Sequence, residues 1–152
     1  LRLGSSTDYT SCGRGCHLWE LPVDYGTHLM EAQDDPRLQK GIDEFNQQLF
    51  FECHETLEEI WLEERGEDRK FYQGIIQIAA GYFKLQQGVP AGAIKLWRMG
   101  LEKIEPYSPV YLGVELASFS AAVKQNLHEL EALQKTGTDS PALAAPTLCR
   151  VS

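Results

Sequence analysis

His54 and Glu58 lie one helical turn apart in the segment Phe51-Glu52-Cys53-His54-Glu55-Thr56-Leu57-Glu58-Glu59-Ile60-Trp61, and Trp61 follows at i+7 on the same stripe. An imidazole beside a carboxylate can move a proton, orient a water or hold a metal ion. Glu55 adjoins the pair. Further along, Gln73 and Gln77 are again four apart, among apolar neighbours. An antiparallel hairpin would bring the two pairs together. Buried amides and imidazoles need partners, so these four polar side chains also have a purely structural use in satisfying one another. The candidate catalytic residues are His54, Glu55 and Glu58. The candidate binding or structural cluster is His54, Glu58, Trp61, Gln73 and Gln77. A metal would find only His54 and Glu58.

Metal patterns fit poorly. A zincin needs H-E-x-x-H, and the second His is missing. A di-iron bundle needs Glu-x-x-His units on two helices plus two further carboxylates, whereas His128 and Glu131 stand in the reverse order. Near the start, Cys12, Cys16, His17 and His28 offer C-x3-C-H, which matches neither a structural zinc pair nor a haem attachment motif. No cofactor is expected. A divalent metal on His54 and Glu58 belongs only to an enzymatic alternative.

The elements that must position these residues read as helices. Asp34-Asp35-Pro36 is a helix-start signal, and Leu38, Ile42, Phe45 and Leu49 give an amphipathic helix over about 36–48. A second, over about 50–65, buries Phe50, Cys53, Leu57, Ile60 and Trp61, with Gly66 suited to cap its end. A third, over about 69–87, is apolar nearly all round and should be central. Gly74 and Gly81, seven apart on one face of it, would admit a close neighbour. A fourth over about 90–104 and a fifth over about 111–134 complete the set, the fifth including Leu112 in its apolar pattern. No segment has a strand pattern. A faint repeat at a lag of 39 aligns Gln47-Gln48 with Gln86-Gln87 and Leu57 with Leu96. The expected fold is all-α, a compact bundle of about five helices built from hairpins, somewhat like a solenoid. Residues 1–33 read as an irregular arm, 34–136 as the helical domain and 137–152 as a mobile tail.

Charge narrows the partners. The chain of 152 residues carries a net −8, which opposes nucleic acid and anionic membrane, and it has no apolar run long enough to span a bilayer. Residues 52–68 hold eight acids against Arg65, a net of −7, and residues 69–105 answer with +4. Most of that acid reads as a solvated face. Four cysteines, at 12, 16, 53 and 149, do not form a recognisable disulfide framework. With no secretory signal, the expected compartment is the cytoplasm. The chain opens on Leu1, and Met30 would be a sensible start for the domain that follows.

Three motifs in order carry a resemblance. They are Phe51-Glu52-x-His54-Glu55-x-Leu57-Glu58-x-x-Trp61, then Tyr72-Gln73-Gly74-Ile75-Ile76-Gln77-x-Ala79-Ala80, then Gly88-x-x-x-Gly92-Ala93-x-x-Leu96. Together, over about 38–105, they closely resemble domain-of-unknown-function family 309, a set of small helical proteins with no established activity. The resemblance implies an all-helical fold and marks His54, Glu55, Glu58, Trp61, Gln73 and Gln77. The chain departs from the family pattern at Lys84, where a His is frequent, and at Val89, where an Asn follows the turn glycine.

Two functions are open to this pattern. One is a non-catalytic binding module taking a protein, a peptide or a second copy of itself, and the residues favour it. The alternative is a metal-dependent or acid–base enzyme of hydrolase type, using His54 and Glu58.

Overall fold

The computed structural model describes residues 35–138 and 143–151. The N-terminal arm, with Cys12, Cys16, His17 and His28, lies outside them. Among the described residues five helices make the domain: α1 (Pro36–Asn46), α2 (Phe50–Glu63), α3 (Asp68–Gln86), α4 (Pro90–Ile104) and α5 (Ala117–Thr136). The fold is all-α, as the periodicity predicts.

Each helix begins and ends for a local reason. The Asp35 carboxylate accepts from the Arg37 N–H at 2.9 Å, and Pro36 occupies the first turn. α1 stops because Gln48 turns left-handed, with φ 66°. Leu49 therefore leaves the helix and is exposed, rather than extending the apolar stripe. α2 ends at Glu63, where Glu64 goes extended and its side chain accepts from the Gly66 N–H. Gly66 is thus not a left-handed cap. Arg69 takes over that task by donating to the Trp61 and Glu64 carbonyls at 2.6 and 2.9 Å.

α1–α2 and α3–α4 are two copies of one hairpin. The Leu49 N–H donates to the Glu44 carbonyl at 2.8 Å, and the Val89 N–H to Lys84 at 2.9 Å. Gln48 N–H reaches Phe45 at 2.9 Å, and Gly88 N–H reaches Leu85 at 3.0 Å. Both are Schellman turns, and both place their left-handed residue at the same point, Gln48 and Gly88. The offset is 40 residues, one more than the matching glutamines suggest. The packing repeats with it. A Cβ on Gly41 would strike the Leu57 side chain at 2.6 Å, and one on Gly81 would strike Trp97, the residue 40 beyond Leu57.

The core gathers on α3. Phe45 meets the rings of Phe50, Tyr82 and Phe119 at 5.1, 5.8 and 5.5 Å, and Tyr82 meets Trp97 at 4.5 Å. α3 and α4 approach closely enough that a Cβ on Gly100 would lie 2.7 Å from the Gly74 carbonyl.

The fifth helix starts six residues later than its apolar pattern predicts. A short 3-10 turn (Glu105–Tyr107) leads to a hairpin of β1 (Val110–Tyr111) and β2 (Val114–Glu115). Leu112 and Gly113, with φ 50° and 75°, form its two-residue primed turn, so Leu112 is not helical. β3 (Cys149–Arg150) pairs antiparallel with β2. Part of the segment read as a mobile tail therefore packs on the domain. Leu148 is buried, and its backbone exchanges two hydrogen bonds with the Asn46 amide at 2.8 and 3.0 Å. Buried Asn126 donates to Tyr82 Oη at 2.7 Å and to the Ala144 carbonyl at 2.9 Å. Cys53 is a free, buried thiol as its pattern predicts, but Cys149 is disulfide-bonded, against the reading of four thiols without a framework. Among the described residues no helix is long and apolar enough to cross a membrane.

Candidate functional site

α2 presents three kinds of surface in rotation. Phe50, Cys53, Thr56, Leu57 and Ile60 are buried. His54, Glu58 and Trp61 are half-buried along the edge that faces α3. Beyond that edge, Phe51 and Leu62 are 43% and 57% exposed. At 100° per residue, Phe51, Glu55, Glu58 and Leu62 fall on one outer stripe, and Glu52, Glu59 and Glu63 flank it on the α1 side.

The pair at the centre is open to solvent. His54 Nε2 lies 3.8 Å from Glu58 Oε1, with side chains 30% and 42% exposed. That separation is an ion-pair approach and too long for a direct hydrogen bond. The Phe51 ring lies over His54, with centroids 6.1 Å apart, and also meets Phe83 of α3 at 5.3 Å. At the other end the Arg69 guanidinium sits 4.1 Å from the centroid of Trp61. These two contacts bracket an antiparallel seam. Between them, counting inward along two antiparallel helices puts His54 at about the level of Gln77 and Glu58 at about that of Gln73.

The seam is not closed by hydrogen bonds among the described residues. Among the described residues no hydrogen bond joins His54, Glu58, Gln73 and Gln77. His54 Nδ1, Trp61 Nε1 and Gln77 Oε1 are instead buried with no partner. This differs from the mutual satisfaction that the spacing suggests. Glu55 lies on the outer stripe, exposed, and does not enter the seam.

Residues 38–96 match the model of the family Domain of unknown function (DUF309). The match bears out the resemblance carried by the three motifs. It runs through α1, α2, α3 and the first half of α4, and it contains every candidate site residue. No curated protein matches the chain. The family description names no activity, so the chemistry of the DUF309 segment rests on its side chains.

Those side chains can donate and accept but hold no prepared nucleophile. Cys53 is one residue from His54, yet burial pushes its thiol far above the ordinary value, so it stays protonated at neutral pH. Thr56 is buried and its hydroxyl accepts from Lys40 Nζ at 3.1 Å. Among the described residues no group of three or more His, Cys, Asp or Glu is arranged to hold a metal ion. Glu131 pairs with Arg98 of α4 rather than joining His128, which is exposed.

Three residues escape a reading by period. Arg69 caps α2 and covers Trp61, and nothing in its spacing marks it. Phe51 and Leu62 fit the apolar composition of α2, and only their angular place shows that they point outward. Their separation of eleven residues, three helical turns, is the signal that could have found them.

Proposed function

We propose that this chain is a non-catalytic binding module whose recognition surface is the outer stripe of α2 with its His54–Trp61 edge. The observation that carries the reading is the exposure of two large apolar side chains, Phe51 and Leu62, on one stripe and about 16 Å apart along the helix. Aromatic and aliphatic anchors at that spacing suit a helical segment of a protein partner, laid along α2 and filling one position at each end. His54, Glu58, Gln73 and Gln77 supply the polar border, with no hydrogen bond among them.

A phage-displayed library of helical peptides, panned against the purified chain, tests this. Selected peptides should lose at least tenfold in affinity for the Phe51→Ser/Leu62→Ser variant and none for Lys124→Ser, on the exposed side of α5. Peptides that bind both variants equally would overturn the assignment of the surface.

A further inference from the structure

We propose that the segment bound by this surface is a basic amphipathic helix, an inference that rests on the reading of α2 as the recognition face. The outer stripe runs Phe51, Glu55, Glu58, Leu62, so two carboxylates lie between two apolar anchors. Glu52 and Glu59 stand beside them, both exposed. Among the described residues, cations neutralise this face only along its α1 flank, where Lys40 attracts Glu52 and Glu59. Arg37 is committed to Asp35 and Glu63, and Lys40 to Glu44. Arg69 is spent on the carbonyls that end α2. Among the described residues, no ion pair engages Glu52, Glu55 or Glu59. The complement of such a stripe is a helix with apolar residues three turns apart and Lys or Arg between them.

A second copy of the chain is the competing occupant, and charge argues against it. Two molecules at −8 repel, and two copies of the acidic stripe cannot pair face to face. The basic stretch of α4 is a poor seat as well. At the positions equivalent to Phe51 and Leu62, 40 residues on, it offers Ala91 and Glu102, and its Arg98 is paired with Glu131.

The test uses two synthetic helical peptides of about fifteen residues, long enough to span the stripe. One is built of Leu and Lys, the other of Leu and Gln on the same apolar pattern. Binding is measured by fluorescence anisotropy at low and high salt, with sedimentation of the chain alone alongside. Three exposed ion pairs of ordinary strength correspond to about tenfold in affinity. The Lys peptide should bind about tenfold tighter at low salt, with the advantage shrinking as salt rises. Glu55→Gln/Glu58→Gln/Glu59→Gln should abolish the advantage, and Glu102→Gln/Glu105→Gln/Glu129→Gln, the same charge change elsewhere, should keep it. Equal affinity of the two peptides, still dependent on Phe51 and Leu62, overturns the basic partner and leaves the surface standing. Indifference of both peptides to Phe51→Ser/Leu62→Ser overturns both. A concentration-dependent dimer that needs Phe51 and Leu62 assigns the face to a second copy and overturns the inference.

Discussion

Replacing Gln77 with Met should stabilise the protein. Gln77 is half-buried on α3, and its Oε1 is sealed from solvent without a hydrogen-bond partner. A buried acceptor left unpaired costs about 1–3 kcal/mol relative to a satisfied one. The remainder of the side chain is accessible, which places Gln77 at the lower end, about 1 kcal/mol. Met keeps the unbranched shape and nearly the same helix propensity, and its thioether demands no partner. The substitution therefore removes the penalty and little else. In a chain of 152 residues about 1 kcal/mol moves Tm by roughly 2–4 °C, which thermal unfolding followed by circular dichroism resolves. Gln73→Met is the internal control. Gln73 faces the same seam, but neither of its amide atoms is both buried and unpartnered, so its substitution should stay within about 0.5 kcal/mol of wild type. Loss of about 1 kcal/mol or more on Gln77→Met would refute the reasoning. It would mean that the amide finds a partner in solution, that the seam is a satisfied network, and that its polar residues serve the fold.

Other substitutions probe the scaffold. Glu58→Ala should change stability by no more than about 0.5 kcal/mol in urea unfolding, because the side chain is 42% exposed and 3.8 Å from His54, its only ion-pair partner among the described residues. Gly92→Ala meets only side chains at 3.4 Å and should gain about 0.5–1 kcal/mol, whereas Gly100→Ala drives a Cβ to 2.7 Å from the Gly74 carbonyl and should lose about 1–3 kcal/mol net; the two Tm shifts must have opposite signs. Asp35→Ala should lose about 1 kcal/mol at neutral pH through the lost cap. Hydrogen bonds from Arg37 hold the Asp35 carboxyl below its ordinary 3.8, so its contribution is present above that value and lost as pH falls below it; the gap between wild type and variant should narrow in acid denaturation curves. Asn126→Leu strips the Ala144 carbonyl and Tyr82 of their partner, and limited proteolysis should then cut residues 143–151 faster than in wild type.

Four helices are legible in the sequence to within about two residues, because Pro36, Pro90 and the 3.6-residue period mark both position and face. Failures cluster where backbone geometry overrides side-chain pattern. Leu49 continues the α1 stripe on paper, but the left-handed Gln48 ends the helix first, and a non-glycine at that conformation gives no warning. The same event hides the true repeat: Gln48 corresponds to Gly88, so the alignment that matches glutamine to glutamine is one residue short. Tyr111, Leu112 and Val114 suit the apolar side of a helix, and the primed turn at Leu112-Gly113 lacks the Asn or Asp that usually announces it. At the site, i, i+4 and i+7 spacing places His54, Glu58 and Trp61 on one edge. Spacing cannot say whether a buried atom has found a partner, which depends on the approach of α3. Cys149 is illegible for a related reason, since no local pattern marks a cysteine as disulfide-bonded.

The duplicated hairpin separates what the fold requires from what it tolerates. Residues forty apart occupy the same place in the same supersecondary unit, so each position in α2 has an internal control in α4. Where packing rules, the two agree in kind: Gly41 and Gly81 both make room for the residue sixteen further on, Leu57 or Trp97. On the edge facing the next helix they part company. His54, Glu58 and Trp61 correspond to Ile94, Arg98 and Leu101, and that second seam is closed by apolar contact and the Arg98–Glu131 pair. On the outer stripe Phe51, Glu55, Glu58 and Leu62 correspond to Ala91, Lys95, Arg98 and Glu102, with anchors removed and charge reversed. A hairpin of this geometry folds with either set. Neither the unpartnered polar atoms of the first seam nor the apolar anchors beside its carboxylates recur at the equivalent positions of α4, so the hairpin geometry itself does not depend on them.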